Sequence, residues 1–134
     1  MKLLTKDIRE QLLRNGREQA KVKGTKAEKD FWPVVKLFYP AGPATWLLTE
    51  LDPEDEDVAW ALCDLGMGFP EFGTVRISEF ESFVGTAGLR IERDRFFTAK
   101  APISRYIDAA SDAGCIVENV APSSAAIPST RSKP

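Results

Sequence analysis

Carboxylates are the side chains of this sequence best spaced for chemistry. Glu50, Asp52, Asp64 and Glu71 flank what read as consecutive strands, so a meander is expected to bring them to one end of a sheet. Oxygen ligands gathered in that way suit hard cations such as Mg²⁺, Mn²⁺ or Ca²⁺. Two carboxylate-held ions suffice for metal-assisted phosphodiester hydrolysis. The plainer reading is that acids in and beside a turn are solvated, and we adopt it: the chain has no histidine and no ligand motif of fixed spacing. The run Asp52–Asp57 also lacks the alternating ligands and central glycine of an EF-hand loop. We therefore expect no metal, no cofactor and no catalytic residue, and read the chain as non-catalytic rather than as an enzyme.

Three further groups of residues have candidate chemistry of their own. Trp32, Trp46, Trp60, Phe69 and Phe72 are numerous enough to stack bases on a sheet. On alternating strands such residues more often fill a core, and that is the expectation for Trp46 and Trp60. Arg14, Arg17, Lys21, Lys23, Lys26 and Lys29 form a basic arm that can meet phosphates without reading sequence. Gly66-Met-Gly68 is no phosphate loop, since the Lys-Ser/Thr ending is missing. Ser78 and Cys63 have no base to activate them, and Ser78-Glu79-Phe80-Glu81 has capping-box spacing.

The elements that must position these residues follow from length and pattern. One hundred and thirty-four residues, 43% hydrophobic and 28% charged, fit one soluble domain. Cys63 and Cys115 are too few for a four-thiolate zinc site. Charges near the start interrupt any secretory signal, and no apolar run spans a membrane, so a reduced cytoplasmic protein is expected. The net charge of −2 hides a sorting along the chain. Residues 1–36 carry ten Lys/Arg and five Asp/Glu, residues 37–81 one and ten, and residues 82–134 seven and five.

Thr5 caps an expected helix that ends near Asn15, with Gly16 as its stop and Arg17–Asp30 as a polar connector. Residues 33–39 and 44–51 alternate as strands around the turn Pro40-Ala-Gly-Pro43. Residues 53–66 admit two readings. Asp52 and Pro53 can open a helix, yet Val58, Trp60 and Leu62 alternate with Ala59, Ala61 and Cys63, which favours a third strand. Residues 72–77 make a fourth strand, 78–81 open a short helix, and 89–97 are extended. Pro102 starts a last helix with Ile103, Tyr106, Ile107 and Ala110 as its apolar stripe and Gly114 as its stop. An edge strand is expected over 115–120. The division is thus a basic helix and connector (1–32), one domain (33–120) and a disordered tail (121–134). The fold class is α+β: a small antiparallel meander of four to five strands, with helices to one side and at the ends.

The segments Ala44-Thr-Trp-Leu-Leu-Thr-Glu-Leu-Asp-Pro53, Ala61-Leu-Cys-Asp-Leu-Gly66 and Pro70-Glu-Phe-Gly-Thr-Val-Arg-Ile-Ser-Glu-Phe80 resemble the bacterial domain-of-unknown-function family 2958. Pro33–Tyr39 and Ile91-Glu-Arg-Asp94 fit the same pattern, so the likeness covers roughly residues 33–113. It implies strands around Trp46 and Trp60 and a setting on plasmids and integrated mobile elements, with no assigned activity. The expected function is a non-catalytic accessory protein of a mobile element that binds another protein. The contact would be the acidic residues Glu50, Asp52, Glu54, Asp57, Asp64 and Glu71. One specific form is counter-defence, an acidic surface competing for a DNA-binding protein. The alternatives are nucleic-acid binding by the basic arm and a carboxylate-based metal-dependent hydrolase.

Overall fold

Thr5 caps the first helix as its spacing requires, its hydroxyl oxygen accepting from the Ile8 amide at 3.2 Å. The computed structural model describes residues 2–122, so the expected tail lies almost wholly outside the described residues. That helix, α1 (Lys6–Val22), does not stop at Gly16 but runs through it. The glycine serves a different purpose: a Cβ there would collide with the backbone carbonyl oxygen of Leu51. Its absence lets the helix lie directly against a strand. The neighbouring Asn15 is fully buried and donates its side-chain amide to Thr49 O at 2.8 Å. The connector is shorter than expected and tied down, because Gln19 exchanges two 2.9 Å hydrogen bonds with the Lys29 backbone.

The sheet is built from β1 (Val35–Phe38), β2 (Thr45–Asp52), β3 (Asp55–Asp64), β4 (Glu71–Arg76) and β5 (Glu92–Arg93). All pairings are antiparallel and the order is β4-β3-β2-β1-β5. The class is therefore α+β, a four-strand meander whose chain then crosses to add a short fifth strand on the far edge. Within residues 53–66, Asp55–Asp64 form a strand rather than a helix. The extended segment 89–97 contributes only Glu92 and Arg93 to the sheet. No strand forms over 115–120; the Ile116 amide instead bonds Asp64 Oδ2 at 2.8 Å.

Helices cover both faces of the sheet, not one. Leu12 and Leu13 of α1 pack with Leu37, Leu48, Leu51, Ala59 and Ala61, joined by Ile77 and Phe80 of α2 (Ile77–Ser82). On the opposite face Leu47 and Leu62 pack under Ile103, Tyr106 and Ala110 of α3 (Ile103–Ala113), which ends at Gly114 in the left-handed conformation. The reason is visible in β2, where Leu47 and Leu48 point to opposite faces and both are fully buried.

The short helices are capped from a distance. Neither α2 nor α3 has a side-chain bond from its own N-cap. Asp57 accepts from both the amide and the hydroxyl of Ser78, at 2.9 and 2.7 Å. Asp30 does the same for Ser104, at 3.0 and 2.5 Å. Ser78 is thus not the N-cap of a capping box; it lies inside α2 and is the receptor for a cap supplied by β3.

Candidate functional site

The four carboxylates expected to converge do not. Glu50 lies opposite Trp60, and Thr45 lies opposite Asp64. Glu50 and Asp64 are therefore four positions apart along β3, about 13 Å on an extended strand. Asp52 stays with Glu50 at the β2–β3 hairpin, whereas Glu71 pairs with Cys63 at the other end. No group of three or more His, Cys, Asp or Glu capable of holding a metal occurs among the described residues.

Several expected contact residues have structural duties. Asp64 is 3% exposed, and its oxygens accept from the Gly66 and Ile116 amides, each at 2.8 Å. It joins the end of β3 to the segment after α3 and belongs to no surface. Asp57 caps α2, and the Ser78 hydroxyl and amide, aided by Arg76, hold its carboxyl below the usual range. Glu71 is exposed; burial, together with the charge of Glu71, pushes the half-buried Cys63 thiol up to about 11. Glu54, Asp55 and Glu56 form an exposed acidic tip, in which Asp55 lies 3.4 Å from Arg76 and accepts from the Asp57 amide at 3.2 Å. Asp52 is half-buried at its base and accepts from the Glu54 amide at 2.8 Å.

Two of the basic residues are engaged within the fold. Arg14 is half-buried and donates to Gln11 Oε1 at 3.4 Å, and Lys29 lies 3.9 Å from Glu18. Arg17 and Lys21 are exposed on α1, while Lys26 is in the following loop. The arm also folds onto the acidic centre. Arg9 donates to Glu56 O at 3.4 Å, and α1 packs along β2.

What the fold does assemble is a cleft of about 330 Å³ between the second half of α1 and the hairpin. Glu50, Trp60 and Thr74 form one row across β2, β3 and β4. Their neighbours Leu51 and Ala59 face the α1 core, so alternation turns this row to the other side of the sheet. Gln19, Ala20 and Lys23 form the wall; Asp52, Pro53 and Glu54 form the rim. Trp60, expected in the core, is half-buried and stacks on Phe72 at 5.9 Å. Lys23 Nζ sits 4.1 Å from the centroid of the Trp60 ring. Trp46 does fill the core, edge-on to Phe80 at 4.8 Å, while Phe69 is 84% exposed.

Glu50 is the chemically distinctive group of the cleft. It is 7% exposed, and its only hydrogen-bond donor among the described residues is Thr49, whose single hydroxyl proton is shared between Glu50 Oε1 and Trp60 O, each 3.4 Å away. Burial raises its pKa to about 7; Lys23 and Thr49 pull it back, while Glu28 and Asp52 push it further up. The cleft thus holds a proton-accepting carboxylate, a flat aromatic surface and an ammonium in one place. Sequence reading placed Lys23, Glu50 and Trp60 in three separate groups and missed Gln19 and Glu28. A regular hairpin with Asp52 opposite Asp55 would set Glu50 opposite Asp57. The register irregularity between Leu51 and Asp52 sets it opposite Trp60 instead.

No curated protein and no solved structure matches the chain. No helix among the described residues is long and apolar enough to cross a membrane. The model of the family described as a protein of unknown function (DUF2958) matches residues 3–117, from ahead of α1 to beyond α3, and the chain belongs to that family.

Proposed function

We propose that this protein is a non-catalytic accessory protein that docks a basic protein at the end of the sheet where α1 meets the β2–β3 hairpin. The observation that carries this reading is the hairpin tip, where Glu54, Asp55 and Glu56 are exposed in succession beside the cleft that holds Glu50 and Trp60. Consecutive exposed carboxylates attract a lysine- or arginine-rich segment over several ångströms, and the half-buried aromatic gives that segment a surface to rest on. Within the mobile-element setting that the family resemblance implies, a basic DNA-binding protein of the host has the required charge, and holding it serves counter-defence.

The test is the combined substitution of Glu54→Gln, Asp55→Asn and Glu56→Gln, with binding of a polycationic peptide measured across a salt series. Affinity is expected to fall about tenfold at low salt, and the salt dependence to flatten. The melting temperature should hold nearly constant, because the three side chains are exposed and the surface pair of Asp55 with Arg76 contributes little. Unchanged affinity would remove the tip as the docking surface.

A further inference from the structure

The cleft already contains the kind of group it is built to hold. Lys23 Nζ lies 4.1 Å from the Trp60 centroid, inside the roughly 6 Å over which a cation is drawn to an aromatic face. Around that one ammonium stand the carboxylates of Asp52 and Glu54 on the rim and Glu50 on the floor, with Glu28 close enough to act on Glu50. Negative groups therefore outnumber the positive one, and the site favours a cation over an anion. The floor carboxylate is more than nine-tenths buried, and its sole hydrogen-bond donor among the described residues is the shared hydroxyl of Thr49, 3.4 Å away. A buried carboxylate so weakly bonded has lone pairs left for a donor that enters the cleft.

Lys23 is also placed to leave. It is the C-cap residue of α1, with extended backbone angles, it is exposed, and Gly24 follows it at a positive φ of 81°. Its four-carbon stem reaches the ring from the loop side, and rotation of the stem frees the ring without disturbing the helix. The volume of about 330 Å³ accepts an aliphatic chain of several carbons carrying a terminal ammonium.

We propose that the cleft is a binding site for a primary alkylammonium group and that Lys23 is its built-in competitor, held over Trp60 until a ligand ammonium takes its place. The same chemistry is presented by a free diamine and by a lysine side chain of a docked protein. In the second form the inference rests on the docking reading above; in the first it stands alone.

The probe is cadaverine, titrated into the full chain by calorimetry and by the indole N–H resonance of Trp60. Lys23→Ala is expected to bind it about tenfold more tightly than the parent, because the internal competitor is gone. Adding Glu50→Gln should reverse that gain, and pentanol should bind neither protein. Glu50 is faced by Lys23, Glu28, Asp52 and Glu54, so binding to Lys23→Ala should weaken about tenfold between about pH 8 and pH 5 as Glu50 takes up a proton. Equal affinity of Lys23→Ala and the parent, or a Glu50→Gln variant that binds undiminished, overturns the proposal. A lysine peptide that also tightens on Lys23→Ala assigns the pocket to docked proteins; a response confined to cadaverine assigns it to free diamines. The two readings fail separately. Peptide binding that ignores the hairpin-tip substitutions, with cadaverine capture intact, ends docking and keeps the pocket. Tip-dependent peptide binding without cadaverine capture does the reverse.

Discussion

Glu50 concentrates most of the unusual chemistry of this chain in one side chain. It is buried among the strands it belongs to, with a pKa near 7 against 4.5 for an ordinary glutamate. The folded state therefore keeps a proton that the unfolded chain releases, and stability must fall as pH rises from about 4.5 to about 7. Above that window the ionised, desolvated carboxylate costs about 3 kcal/mol; below it the cost is absent. Glu50→Gln is accordingly expected to stabilise the fold by roughly 1–3 kcal/mol at about pH 8 and to change nothing near pH 4, read from urea unfolding at both pH values. Equal effects at the two pH values would mean that shape rather than charge sets the result. A stability cost that persists at neutral pH is the mark of a group kept for a role other than folding.

At the scale of elements, the placement of α1 decides whether the cleft exists. Gly16 is the contact point, since a side chain there has no room beside the Leu51 carbonyl. Gly16→Ala raises intrinsic helix propensity by about 1 kcal/mol, yet it forces the helix away from β2. The expected net result is a loss of about 2–4 kcal/mol, because a backbone atom cannot move aside as a flexible side chain can. Chemical denaturation followed by circular dichroism checks the sign, and a more stable alanine variant would refute the close approach. The glycine itself was conspicuous in the sequence, but its role was not. A glycine after an apolar stripe reads equally as a stop or as a contact, and only the partner surface separates the two. The remote caps were hidden for a similar reason. Asp57 and Asp30 reach Ser78 and Ser104 across 21 and 74 residues, respectively. Each serine follows a buried isoleucine, Ile77 and Ile103, that fixes the first turn of its helix.

For the whole molecule, the division into a basic arm and a separate domain gives way to one packed unit. Leu3, Leu4, Leu12 and Leu13 are buried in the same cluster as the centre of the sheet. Removal of residues 1–22 exposes Leu48, Leu51 and Ala59 together with the unpaired carbonyl of Thr49. A chain lacking them is expected to lose cooperative unfolding and to bind a hydrophobic dye such as ANS. Retention of a sharp transition would restore the arm as an independent attachment. Folding the arm onto the hairpin also changes the charge picture, since Lys23 offsets Glu50, while Arg9 reaches the backbone carbonyl of Glu56. The strong segmental polarity becomes a small exposed acidic tip beside a lined cleft.

The sequence by itself determined the α+β class, the last helix with its stripe and Gly114 stop, and the capped start of the first helix, and it favoured the third strand of the meander over a helix. These follow from local periodicity and from caps within one turn of their targets, which neighbouring residues are sufficient to specify. The tertiary structure alone decided which carboxylates meet, which face each helix covers, and that Lys23, Glu50 and Trp60 share one cleft. Those facts turn on a hairpin register shifted at two places and on a helix brought against a strand some 35 residues away, from Gly16 to Leu51. Side chains alternate across a strand, so the register sets which residues share a face, and no local pattern in this chain encodes it.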